Sequence, residues 1–192
     1  MAIDVYRRMA VLLAGLLVMA LPGAAVADDA AQLVGEAREY LAAGEYRAAA
    51  IQLKNALRED PGNLEARLLL GSLALRDGDG AAAAKEYGRA RDLGAPVTDW
   101  MPGYARALTQ QGEFARLLDE VKVDPGLAVA EQAELHALRG DAQLALRRID
   151  AAEAAYDAAL ALVPDAPGAG LGKARIQLAQ GDIEGARAQL DA

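Results

Sequence analysis

Small apolar residues recur along the chain at a nearly constant interval. Ala37, Gly71, Ala105, Gly140 and Ala174 are separated by 34, 34, 35 and 34 positions. A second series, Gly44, Gly78, Gly112 and Gly181, keeps the same phase, with Arg147 standing where one more glycine would fall. Tyr46, Gly80, Phe114, Ile149 and Ile183 form a third, and Ala49, Ala83, Leu117, Ala152 and Ala186 a fourth, three residues further on. Pro61, Pro96, Pro125 and Pro164 punctuate the gaps. Four series in one phase predict repeated helix–turn–helix units. The small residue of the first helix and the alanine of the second let the paired helices approach, and the glycine between them supplies the turn. The proline ends the second helix, because it has no N–H to donate.

Units are expected at about 30–63, 64–97, 98–132, 133–166 and 167–192, the last incomplete. In the first, Tyr40, Gly44, Tyr46, Ala49, Leu53, Ala56 and Pro61 all fall in step. The third is irregular: Pro125 arrives early and predicts a shortened second helix, while Pro102 predicts a disturbed first one. The fifth stops before its closing positions. Leu178, Ile183, Ala186 and Leu190 are therefore expected to lack the polar cap that normally closes such a stack, which opens a route to self-association.

Composition supports an all-α chain. Hydrophobic residues make up 54 % but aromatics only 4 %, so alanine and leucine supply the apolar surface and strands have little support. The net charge of −8 disfavours nucleic acid and anionic membrane faces as partners. Cysteine is absent, which removes disulfides, a thiolate nucleophile and a lipid anchor on cysteine. At the N-terminus, Arg7 and Arg8 precede an apolar run from Met9 to Leu21, then Ala25-Val26-Ala27 and the acidic Asp28 and Asp29. A basic start, a short apolar core and an A-x-A site are the parts of a secretory signal peptide, here residues 1–27. The implied location is periplasmic or secreted; the alternative is an inner-membrane anchor through residues 9–21.

Period and residue types together resemble the tetratricopeptide repeat (TPR), which implies a right-handed superhelical solenoid of about five helix pairs over residues 28–192. Ala42-Ala43-Gly44-Glu45-Tyr46-Arg47, Gln52-Leu53-Lys54-Asn55-Ala56-Leu57, Asp60-Pro61-Gly62-Asn63 and Ala66-Arg67-Leu68-Leu69-Leu70-Gly71 form one nearly continuous block. Gly78-Asp79 through Ala90-Arg91-Asp92-Leu93-Gly94-Ala95 continues it. These segments resemble the N-terminal part of the PEP-CTERM/exosortase-associated TPR lipoproteins of the PrsT type, over about residues 30–122 and more loosely to 192. The resemblance implies an envelope-linked helper in exopolysaccharide export or surface sorting. Members of that family are several times longer and carry a lipobox cysteine that this chain lacks.

No catalytic constellation is present. His136 is the only histidine, so no His pair can hold a metal, and no cofactor motif appears. His136 reads as a helix residue packed or solvated between units. Most aspartates fall at turns and helix starts, where they cap backbone N–H groups; Asp60, Asp77, Asp79, Asp141, Asp150, Asp165 and Asp182 are read in this way. Trp100, Met101 and Tyr104 read as packing at a disturbed boundary rather than a sugar-stacking platform.

The remaining candidate is the concave face, which in a TPR stack is lined by the first helix of each pair. The ninth position of each unit is Arg38, Ser72, Arg106, Asp141 and Arg175, and the thirteenth adds Arg76 and Gln110. Arginines on that face of an acidic protein suit a ligand with carboxylates, through forked hydrogen bonds. Pairing of the same arginines with neighbouring Glu and Asp is the plainer reading. The expectation is a non-catalytic scaffold that holds a protein or peptide in this groove; an assembly factor for an outer-membrane or pilus complex, or a fragment of a longer TPR protein, is the alternative.

Overall fold

The computed structural model describes residues 22–191; the apolar core of the expected signal peptide, Met9–Leu21, lies outside them. Among the described residues the regular structure is α-helical throughout, ten helices in five consecutive antiparallel pairs. The first pair is α1 (Pro22–Ala42) with α2 (Tyr46–Glu59), and the second α3 (Leu64–Arg76) with α4 (Gly80–Asp92). The third is α5 (Val97–Gln111) with the short α6 (Phe114–Glu120). The fourth joins α7 (Val129–Ala145) to α8 (Ile149–Leu162), and the fifth α9 (Pro167–Gln180) to α10 (Ile183–Asp191). Each pair packs on the next, so the molecule is a solenoid of helix pairs.

The turns inside the pairs follow the glycine series. Gly44, Gly78, Gly112 and Gly181 all take left-handed backbone angles, φ between 71° and 86°. Arg147, where the series lacks its glycine, takes the same conformation at φ 61° in spite of its Cβ. Caps fix several helix starts: the side chains of Asn63 and Asp79 accept the N–H groups of Ala66 and Ala82, both at 2.9 Å. Gly80 is small for a packing reason, since a Cβ there would press on the Ala107 carbonyl of α5 at 2.8 Å.

The alanine series of the second helices is buried as its spacing demands. Ala49, Ala83, Leu117 and Ala152 are fully inaccessible, and Ala186 nearly so. Ala37 and Ala105 face them from the first helices, equally buried. Three apolar clusters run along the stack, with the largest, around Tyr87, Tyr104, Leu108 and Leu117, at its middle.

Two expectations meet different fates in the third pair. α6 is indeed short, seven residues ending at Glu120, before Pro125 is reached. α5, by contrast, runs unbroken through Pro102. Pro102 is the sixth residue of that helix, and proline's fixed φ is itself helical, so the helix gives up one backbone hydrogen bond near its start and continues.

Candidate functional site

The first helices carry the candidate side chains, and the structure gives most of them a partner. Arg38 of α1 forms an ion pair with Glu65 of α3. Arg106 of α5 makes a forked pair with Glu134 of α7, both bonds at 2.5 Å. The hydrogen bond to Glu134 raises the Arg106 pKa against the opposing pull of burial. These two pairs are equivalent: each joins the ninth position of one unit to the second position of the next. They bridge successive first helices along one side of the stack.

The other candidates are placed differently. Arg76 lies over the Tyr46 ring, 3.2 Å from its centroid, and contacts Asp77 at 3.3 Å, so it closes the end of the first pair. Gln110 donates to the Leu75 carbonyl at 3.1 Å, and Ser72 is exposed. Asp141 is no turn residue: it sits inside α7 and accepts the Tyr156 O–H at 2.8 Å. Its spacing from Gly140 placed it in the register, but its role depends on a tyrosine fifteen residues away. Arg175 of α9 is exposed and, among the described residues, has no carboxylate within ion-pair distance.

Trp100, Met101 and Tyr104 are buried, with Trp100 and Tyr104 edge to face at 5.7 Å. The Tyr104 O–H donates to Glu120 at 2.6 Å, and Arg91 and Arg116 reach the same carboxylate at 3.0 and 2.7 Å. Burial draws the Glu120 pKa upward, but the three donors outweigh it and hold the group below the usual carboxylate range. This knot fastens α6 to α4 and α5. His136 is half-buried, and burial together with Arg139 lowers its pKa. No group of three His, Asp or Glu side chains able to hold a metal occurs among the described residues, and no described helix is long and apolar enough to cross a membrane.

Packing between units shows an order that the 34-residue period hides. The Tyr87 ring lies against Gly71 of its own pair and Gly103 of the next; Tyr156 lies likewise against Gly140 and Gly172. A Cβ on Gly103 or Gly172 would overlap the ring, and one on Gly140 would stand 2.5 Å from it. In the first and third pairs the tyrosine is replaced by Leu53 and Val121, and the glycine facing it by Ala37 and Ala105. Two residues earlier the alternation runs Gly35, Leu69, Gly103, Leu138, Gly172. The arginines Arg38, Arg106 and Arg175 belong to the first, third and fifth pairs alone. An alternation of two helix pairs, 68 or 69 residues long, is thus superposed on the shorter period. The signal lay in the alternation of Ala and Gly within the first small-residue series.

A family model for the tetratricopeptide repeat matches residues 34–98 and 137–192, and the chain belongs to that family. The matched stretches begin in the first and the fourth pairs, three pairs apart, and residues 99–136, which hold α6, fall between them. Cellulose synthase operon protein C of Pseudomonas fluorescens (strain SBW25) is 32 % identical over 168 residues, 83 % of this chain. The chain spans 13 % of the length of that relative. Among solved structures, PilF of Pseudomonas aeruginosa superposes with a TM-score of 0.66 at 19 % identity, over 87 % of this chain and 76 % of that one. A tetratricopeptide repeat protein from Parabacteroides merdae gives 0.67 at 20 % identity, over 84 % and 64 %. At those identities the likeness is one of fold.

Proposed function

We propose that the chain is a non-catalytic periplasmic scaffold that holds a protein or peptide on the face built by its first helices. The observation that carries this reading is the arginine row of the odd-numbered pairs. Arg38, Arg106 and Arg175 are all exposed in the same register, the first two engaged with Glu65 and Glu134. A ligand carboxylate on this face meets Arg175 in the forked geometry that Glu134 shows with Arg106. Likeness to a cellulose synthase operon protein supports service in exopolysaccharide export, and the PrsT-like segments support surface sorting in the same envelope setting. Self-association through the last pair belongs to the same reading, since Leu171, Leu178 and Ile183 are exposed.

A crosslinking pull-down of the tagged protein from intact cells, with its N-terminus sequenced, is the test. Recovery of polysaccharide-export or sorting proteins and a start at Asp28 is the expected result. Cytoplasmic partners with an intact Met1 would overturn both the location and the pathway. With a captured partner in hand, Arg175→Glu should weaken binding about tenfold, the scale of one lost charge-assisted pair.

A further inference from the structure

A cleft of about 480 Å³ opens between α2 and α4, with α3 as its floor. Its walls come from two second helices and its floor from a first helix, and none of Arg38, Arg106 and Arg175 lines it. Its walls and floor are apolar: Ala50 and Leu57 from α2, Leu70, Leu73 and Ala74 from α3, and Ala82 from α4. The volume falls within the range of about 300–1,000 Å³ usual for ligand sites.

The rim carries three cations, Lys54, Arg58 and Lys85, and three carboxylates, Asp77, Asp79 and Glu86, which differ in their partners. Asp79 is committed to the N–H of Ala82, and Asp77 to Arg76. Glu86 holds the buried Arg67 at 2.8 Å and Arg89 at 3.5 Å. The cations are not so committed. Lys54 and Lys85, both exposed, make no ion pair among the described residues, and Arg58 bonds only to the amide oxygen of Asn55. An apolar trough edged by three cations that no carboxylate pairs, and by one carboxylate, Asp79, that no cation pairs, is thus set into a protein of net charge −8.

We infer that this cleft docks a short acidic amphipathic helix of a partner protein. From Ala50 to Arg58 the α2 wall is about 12 Å long at 1.5 Å per residue, the length of roughly two helical turns. Such a segment lays apolar anchors at i, i+4 and i+7 into the trough, and its flanking carboxylates meet Lys54, Arg58 and Lys85. A lipid surface fits worse. The apolar atoms lie in a recess that a flat bilayer does not enter, and the net negative charge repels anionic headgroups.

Fluorescence anisotropy with a labelled peptide of leucines at helical spacing and glutamates between them tests this on the whole chain. Saturable binding is expected, with binding about tenfold weaker to the Lys54→Glu/Lys85→Glu variant and to a peptide with lysines in place of the glutamates. Circular dichroism of the variant should be unchanged, both substitutions being on exposed side chains. Arg175→Glu should leave the affinity intact, which separates this cleft from the first-helix face. Equal affinity for the acidic and basic peptides, or for the wild type and the double variant, would overturn the proposal. So would binding to phosphatidylglycerol vesicles that the lysines control while the peptide fails to bind.

Discussion

Tyr156 shows why the small residue of the first helix is glycine in some pairs and alanine in others. Its ring fills the space between α7 and α9 that Cβ atoms at Gly140 and Gly172 would occupy. The sequence made the small positions visible, since they keep a fixed interval, but not the ring that requires them. Gly140→Ala should destabilise by about 1–3 kcal/mol through overpacking. Adding Tyr156→Leu recreates the Ala37–Leu53 pairing of the first unit, so the double variant should be more stable than the sum of the two single changes, by about 1 kcal/mol in urea denaturation. Strict additivity would show that ring and glycine do not depend on each other. The same tyrosine carries a pH dependence. Burial, then the hydrogen bond and charge of Asp141, raise its pKa above the ordinary value of about 10. Above that value the unfolded chain loses the phenolic proton before the folded one does. The contribution of Tyr156 to stability is therefore level below about pH 10 and is lost as pH rises further. Tyr87 and Tyr104 are raised as well, so Tyr156→Phe should reduce the alkaline fall in melting temperature without removing it.

Helix α6 is the element that departs most from the repeat, and its end depends on a residue from another pair. The chain leaves helical geometry at Val121, and Asp124-Pro125-Gly126 then forms a turn closed by the Asp124 side chain on the Gly126 N–H at 2.7 Å. Arg139 of α7 donates to the carbonyls of Val121 and Leu118, at 2.6 and 3.3 Å, and so takes up acceptors left over where the helix stops. Pro125 made the shortening legible in the sequence; Arg139, fourteen residues later and with no motif around it, did not stand out. Arg139→Met keeps much of the stem but leaves the Val121 carbonyl without its donor, while Leu118 retains the Lys122 ammonium at 3.0 Å. It should cost about 1–3 kcal/mol, and hydrogen exchange should rise first in residues 118–128. Unchanged exchange there would mean that solvent serves the α6 end as well as the guanidinium does.

At the scale of the whole molecule, a two-pair block changes what can be removed without damage. The 34-residue period was open to reading because turns and helix contacts recur in every pair. The longer period was not, because it depends on which side chain meets which across a boundary: Leu53 and Leu69 share one apolar cluster, whereas Tyr87 needs Gly103. Deleting residues 64–132 removes one complete block and sets the first pair against α7. Arg38 then meets Glu134 in place of Glu65, and Leu138 stands where Leu69 stood. Deleting only residues 64–97 sets the first pair against α5, where Gly103 replaces Leu69 and leaves Leu53 facing a gap. A void of that kind costs a few kcal/mol in a packed core, about 2–5 for a leucine lost to a small residue. In a solenoid each pair is held by its neighbours alone, so the cost falls on the terminal pair rather than on the whole stack. Hydrogen exchange within residues 30–63 should therefore stay slow in the larger deletion and become fast in the smaller one. The reverse order, or equal protection in both, would mean that the interfaces of this stack are interchangeable and that the alternation of tyrosine and leucine carries no packing code.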